Sequence, residues 1–200
     1  MTFPITRSIE FFFDLGSPTA YLAYTQLPHI ARETGAVLIY RPMLLGGVFK
    51  ATGNASPVSV PAKGRWMNQD IAMWAQHYGV AFSFNPFFPI NTLTLMRCAV
   101  GLQMRQPEGF ERYLAAVFQA MWAVPRNLAD EAELAEVLAA AGLAADGVIA
   151  LASDPDVKAR LVANTEEAVE RGVFGAPTCF VGTRMFFGQD RLDFVRQALG

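Results

Sequence analysis

The segment IEFFFDLGSP, residues 9–18, constrains the fold more than any other part of the chain. Its apolar run, 9–13, has the length and aromatic character of a buried strand, and Asp14-Leu15-Gly16 ends it. Ser17 and Pro18 then open a helix. A serine hydroxyl can accept a hydrogen bond from an otherwise unpaired N–H of the first turn. Proline costs nothing at the first helical position, where no N–H bond is needed. Tyr21, Leu22, Leu27 and Ile30 carry the apolar stripe to about residue 33, and Gly35 stops it. Residues 37–41 read as a second strand. Strand, helix and strand in that order favour a parallel pair with a right-handed crossover.

Residues 44–62 are rich in Gly, Ala, Ser, Thr and Pro and read as a long loop, with Lys50, Asn54 and Lys63 as polar landmarks. A block of helices follows, predicted over 62–78, 91–105 (capped by Asn91), 107–123, 130–141 and 154–171. In the third of these, Phe110, Tyr113, Leu114, Val117, Phe118 and Met121 step by three and four along one face. After Gly172 the pattern returns to strands. Residues 178–181 and 185–186 flank a tight turn at Gly182-Thr183, and Gly188-Gln189-Asp190 leads into a last helix ending at Leu199. Asp190 is as well suited to cap that helix as to contact a ligand.

Hydrophobic residues make up 52% of the 200 positions and charged residues 17%, which supports a sizeable core. A net charge of −2 supplies no basic field for nucleic acid or an anionic membrane surface. The apolar stretches fall short of the roughly 20 residues that span a bilayer. The first residues lack the pattern of a cleaved leader and read as the approach to the first strand. Cys98 and Cys179 form no CxxC pair and suit a reducing, cytoplasmic setting. His29 and His77 have no partner spacing for a metal or a triad, and no metal site is expected. Trp66, Trp74 and Trp122 read as core residues on helical faces, and Cys179 as facing the core. The aromatic turn 82–88 either walls an apolar pocket or packs the helical block.

The element order is that of an α/β chain with a thioredoxin-like fold and an inserted all-helical domain. The first domain takes residues 5–45 and 172–200, and the connecting loop and helical insertion take 46–171. Two signatures support the order. Ser17-Pro18-Thr19-Ala20 stands where disulfide oxidoreductases of this fold carry C-P-x-C, with both cysteines gone. Ala176-Pro177-Thr178 resembles the cis-proline loop that faces the active-site helix, and a cis peptide is expected before Pro177.

Three separated motifs carry a closer resemblance: Phe13-Asp14-Leu15-Gly16-Ser17-Pro18; the loop Phe49-Lys50-Ala51-Thr52-Gly53-Asn54 with Pro61-Ala62-Lys63; and the tail from Gly172 through Ala176-Pro177-Thr178 to Phe187-Gly188-Gln189-Asp190. Together they resemble the 2-hydroxychromene-2-carboxylate isomerase family, which is related to kappa-class glutathione transferases. Thr19 stands where that family commonly carries an aromatic residue. The resemblance implies a glutathione cofactor in the groove between Ser17, the long loop and the cis-proline loop. It makes Ser17 the catalytic residue, donating its hydroxyl proton to the glutathione sulfur. It assigns Ala176 and Pro177 to the cysteinyl part, Asn54 and Lys63 to the glycyl end, Asp190 to the γ-glutamyl amine, and Gln189 to a further polar contact. Lys50 and Phe49 are the substrate-side candidates, for a small aromatic carboxylate. A homodimer is expected, on the family resemblance and on the apolar content of the helical block. Two alternatives remain: a kappa-like transferase that releases a conjugate, and a redox-inactive binding module in which Ser17 is only a helix cap.

Overall fold

The structure, a computed structural model, describes residues 7–200. Residues 5 and 6 of the expected first domain, and the reading of the first residues as leader-free, lie outside the described residues. Strand β1 (Ser8–Phe13) pairs in parallel with β2 (Val37–Pro42) and antiparallel with β3 (Thr178–Val181), which pairs antiparallel with β4 (Arg184–Phe187). The order across the sheet is β2-β1-β3-β4. Helix α1 (Pro18–Thr34) connects the parallel pair. The expected strands and the helical connection between the parallel pair are present, with ends shifted by a residue.

The near-continuous apolar run of β1 reflects burial on both faces of the sheet. Ile9, Phe11 and Phe13 enter the main core. Phe12 points the other way, into a smaller core with Met43, Val48, Ala168, Val173 and Phe180. Glu10 shares that second face at the rim, where it meets Arg41 and Arg171, each at 2.7 Å. The Arg171 guanidinium lies 4.1 Å from the Phe180 ring centroid, so the ion pair also roofs the small core.

Helices α3 (Pro61–Tyr78), α4 (Leu93–Arg105), α5 (Pro107–Trp122), α6 (Glu131–Ala140) and α8 (Pro155–Glu170) match the predicted block within two residues at each end. Asn91 is not the cap residue of α4. Thr92 holds that position, while the Asn91 side-chain oxygen accepts the Leu93 N–H at 3.0 Å. Two short helices were not expected: α2 (Leu45–Thr52), inside the stretch read as loop, and α7 (Ala145–Leu151). The glycines Gly46 and Gly47 argue against a helix on propensity. Tertiary contacts override them. Val48 fills the small core, and a Cβ on Gly47 would sit 3.1 Å from the Thr165 methyl of α8, so the helix needs a small residue to lie there. The Leu44 N–H is also held by the Thr165 hydroxyl at 3.0 Å.

The apolar stripe of α5 is buried as predicted, but within this chain, where it joins α1, α4 and β1 in one continuous core. The sheet and the helical block thus share a hydrophobic interior. Trp122 is buried and Trp74 packs against the core, whereas Trp66 is 60% exposed, against expectation. Helix α3 buries Ile71 and Ala75, and Trp66 lies about 140° around the helix from Ile71. Helix α9 (Leu192–Leu199) closes the chain beside α1 and β3.

The rim network makes a pH-dependent contribution. The Arg171 guanidinium, followed by Arg41, holds the Glu10 carboxyl below its ordinary value of 4.5 against the opposing effect of burial. Its stabilisation is present above that value and is lost as pH falls through the lower folded-state pKa. Glu10→Gln should therefore cost about 1 kcal/mol at neutral pH, reduced by solvent access at the rim. That corresponds to a fall in Tm of about 2–4 °C. The gap to the native protein should close below pH 4.5 in thermal melts followed by circular dichroism.

Candidate active site

The turn that follows β1 is fixed through its backbone. The Leu15 carbonyl accepts the Trp122 indole N–H at 2.9 Å, and the Leu15 N–H points to Met96 Sδ at 3.3 Å. Both partners come from the helical block. Asp14 is wholly buried. Its Oδ1 accepts the Gly16 N–H at 2.9 Å and its Oδ2 accepts the Leu45 N–H at 2.8 Å, at the start of α2. Burial pushes its carboxyl upward, while these two N–H groups and the Thr92 hydroxyl favour the charged form. The starts of α1, α2 and α4 thus converge on one carboxylate, which their dipoles favour. The Ser17 N–H closes the turn onto the Asp14 carbonyl at 3.0 Å.

Ser17 caps α1 from an extended conformation, and its Oγ accepts the Ala20 N–H at 3.1 Å. Only 5% of the residue is exposed. The same hydroxyl donates to the Ala176 carbonyl at 3.3 Å, and the Thr19 hydroxyl donates to that carbonyl at 3.1 Å. The Ala176–Pro177 peptide is cis, as predicted. The Ala176 N–H meets no acceptor among the described residues. The site therefore presents a helix N-terminus, a hydroxyl and a free peptide N–H in one place. This set suits a peptide-like ligand whose anionic atom faces the helix.

Known proteins resemble this chain over nearly its whole length. The DSBA-like thioredoxin domain matches residues 8–200. A 2-hydroxychromene-2-carboxylate isomerase from Sphingobium xenophagum is 34% identical over 98% of this chain and 99% of its own length. A solved structure of 2-hydroxychromene-2-carboxylate isomerase superposes with a TM-score of 0.84 at 30% identity, covering 96% of this chain and 94% of that one. The chain is a DSBA-like thioredoxin-fold member of the 2-hydroxychromene-2-carboxylate isomerase family. Glutathione S-transferase kappa 1 of Homo sapiens is 27% identical over 98% of this chain and 92% of its own length. The function is of the isomerase or glutathione-transferase type.

In this isomerase-family chain Asn54 and the turn holding Gln189 are tied to the cis-proline loop, whereas Lys63, Lys50, Phe49 and Asp190 make no hydrogen bond or ion pair to it among the described residues. Asn54 is brought to it, for its side-chain amide donates to the Phe174 carbonyl at 2.8 Å. Phe174 in turn packs on Phe187, ring centroids 4.6 Å apart. Gln189 is buried in the turn before α9. Its carbonyl accepts the Tyr78 hydroxyl at 2.6 Å, and the neighbouring Gly188 N–H donates to the Pro177 carbonyl at 3.0 Å. Asp190 does not cap α9. A short 3-10 turn (Gln189–Arg191) intervenes, and Asp190 pairs with Arg191 at 2.5 Å beside a cleft of about 60 Å³ lined by Trp74, Tyr78 and Asp193. Lys63 is exposed in the first turn of α3, with no ion pair among the described residues. Lys50 is exposed and Phe49 half-buried in the last turn of α2, a helix where a loop was expected.

Asp14, Thr19 and Thr92 were not among the catalytic or ligand-binding residues expected from the sequence. Only Thr19 left a signal there, a hydroxyl two positions after Ser17 in the first turn of a helix. The other two act through partners about 30 and 80 residues away, which no local pattern displays.

Gly16 is fixed by a close approach. A Cβ there would lie 2.8 Å from the Thr92 methyl and 3.4 Å from Asp14 Oδ1. Gly16→Ala should cost about 1–3 kcal/mol. Thr92→Ser removes the offending methyl and keeps the hydroxyl, so the double variant should recover most of that loss. Urea denaturation of the four proteins measures the coupling.

Proposed function

We propose that this chain is a cytoplasmic, glutathione-dependent isomerase acting on a small aromatic carboxylate. The substrate pair is 2-hydroxychromene-2-carboxylate and its ring-opened trans-o-hydroxybenzylidenepyruvate isomer, of the kind met in naphthalene-type catabolism. The observation that carries the reading is the Ser17 hydroxyl at the α1 N-terminus, against the loop whose Ala176 N–H is unpaired. The site fits a thiol tripeptide and does not fit disulfide exchange. No cysteine stands in the first turn of α1. Cys98 and Cys179 are both buried, with thiols pushed up to about 12 by desolvation.

Glutathione, when bound, supplies a thiolate that adds reversibly to an alkene carbon of the aryl pyruvate and leaves again after the bond has rotated. The chain's own residues do the rest. The α1 N-terminus favours a negative charge in front of it, and the Ser17 hydroxyl offers a proton to that charge without being able to form a mixed disulfide. Ala176 offers its peptide N–H to the cysteinyl backbone in the manner of an added strand. Asn54 and Lys63 are assigned to the glycyl carboxylate. Lys63 sits at a helix start, where its own dipole disfavours a cation, and an anionic ligand would offset that cost. Asp190 takes the γ-glutamyl amine in place of its exposed partner Arg191, and Gln189 stands beside it. Lys50 and Phe49 face the substrate, one for its carboxylate and one for its ring.

The likeness to kappa-class transferases supports a second outcome, release of a conjugate. Analysis of products separates the two, since an isomerase returns glutathione unconsumed. We also propose a homodimer. The α5 stripe is buried within the chain and adds nothing to it, but the family resemblance and the exposed Trp66 and Met73 on α3 support it. Sedimentation velocity at micromolar concentration should show a dimer, and a monomer alone would refute it.

Ser17→Ala is the direct test. It should leave glutathione affinity nearly unchanged, because the tripeptide keeps its other contacts, and reduce turnover by about 10²–10³-fold, as for loss of one preorganised donor. The titration midpoint of bound thiol should rise in the variant, followed by thiolate absorbance. Full turnover with an unchanged titration would leave Ser17 as a helix cap only.

A further inference from the structure

Three oxygens meet where α1 faces the cis-proline loop. Ser17 Oγ and Thr19 Oγ1 are 3.0 Å apart, and they lie 3.3 and 3.1 Å from the Ala176 carbonyl oxygen. Both side chains are almost entirely buried, Ser17 at 5% exposure and Thr19 at 9%. One lone pair of Ser17 Oγ is already committed to the Ala20 N–H, so its remaining freedom is the direction of its own proton. Two acceptors lie within its reach, the Ala176 carbonyl at 3.3 Å and Thr19 Oγ1 at 3.0 Å.

A carbonyl oxygen has two lone pairs, and a buried one left without a donor is costly. If Ser17 were its sole hydroxyl donor, turning the serine proton toward a sulfur would orphan the carbonyl. The cost would be subtracted from whatever the sulfur gained. Thr19 removes that conflict. Its hydroxyl stays on Ala176 at the shorter of the two distances, so Ser17 can leave. The vacated lone pair is then open to a peptide N–H from the ligand.

We propose that Thr19 is a positioning residue: its hydroxyl holds the Ala176 carbonyl so that the Ser17 hydroxyl is free to donate a hydrogen bond to the thiolate of bound glutathione. The inference rests on the glutathione reading above. Thr19 touches neither sulfur nor substrate and acts only through Ser17 and Ala176. No proton is transferred between the two hydroxyls. The thiol proton goes to bulk water when glutathione binds, and Ser17 keeps its own proton while changing the acceptor.

The test is a titration of bound thiol in the full-length protein, read as thiolate absorbance against pH at saturating glutathione. Thr19→Val should raise the midpoint by about one pH unit, a tenfold loss of thiolate on the acid side, or about 1.4 kcal/mol. Thr19→Ser, which keeps the hydroxyl, should return it to the native value. In a Ser17→Ala background Thr19→Val should move the midpoint no further, because the residue it acts through is gone. Thr19→Ala replaces the valine variant if that one fails to fold. Affinity for S-methylglutathione, which cannot ionise at sulfur, should change less in Thr19→Val than the thiol midpoint does.

An unchanged midpoint in Thr19→Val with a lowered Tm would make Thr19 a structural residue and overturn the proposal. So would equal shifts in the valine and serine variants, which would trace the effect to shape. A native protein that binds S-methylglutathione but does not lower the thiol midpoint refutes the positioning role alone. A native protein that binds neither glutathione nor S-methylglutathione refutes the glutathione reading itself, and the proposal with it.

Discussion

The site depends on the grip that the helical block keeps on the backbone of Leu15. Its carbonyl is held by Trp122 and its N–H by Met96, so the turn between β1 and α1 cannot move without breaking contacts to α5 and α4. Asp14 adds a second restraint in the same turn. A fully buried carboxylate is expensive, and burial raises its pKa accordingly. It persists because both oxygens accept backbone N–H groups that would otherwise be unpaired at the starts of helices. The result is a serine whose position follows from its neighbours. No flexible loop has to close to place it.

The same contacts explain why the helical insertion is not an accessory. Its apolar stripe on α5 continues the core that begins under β1, and its Trp122 reaches directly into the turn before Ser17. Helix α2 is tied at its first residues to Asp14 and to Thr165 of α8. The segment carrying Phe49 and Lys50 is thereby referenced to the Ser17 turn on one side and to the helical block on the other. Preorganisation of this kind favours an anion in front of α1, because donors already aimed at a charge cost no reorganisation when it forms.

The electrostatics of the site are economical. Lys50 and Lys63 are exposed, and the groups touching Ser17 are backbone amides, carbonyls and a hydroxyl. An anion in front of Ser17 would be stabilised by the end of α1 and by hydroxyl protons. Replacing a cysteine with serine at a helix start removes redox chemistry while keeping the part of the machinery that favours an anion. The cysteines that remain in the chain are buried and held as neutral thiols.

The sequence by itself determined the strands, the long helices, the cap at Ser17 and the turn before the cis-proline. These features rest on local periodicity, on serine and proline at a helix start, and on glycine at helix ends, all of which act within a few residues. It also determined Ser17 as the residue to watch, because one position carries both the cap and the missing cysteine. Only the tertiary structure decided that residues 45–52 form a helix, since Gly46 and Gly47 argue against it until α8 is packed alongside. Only the tertiary structure exposed Trp66, enclosed Asp14 and set Gly16 against the Thr92 methyl. It alone brought the hydroxyl of Thr19 and the carbonyl of Ala176, 157 residues apart, to within 3.1 Å. Such contacts are set by how layers stack, and stacking depends on distant parts of the chain that no local window contains.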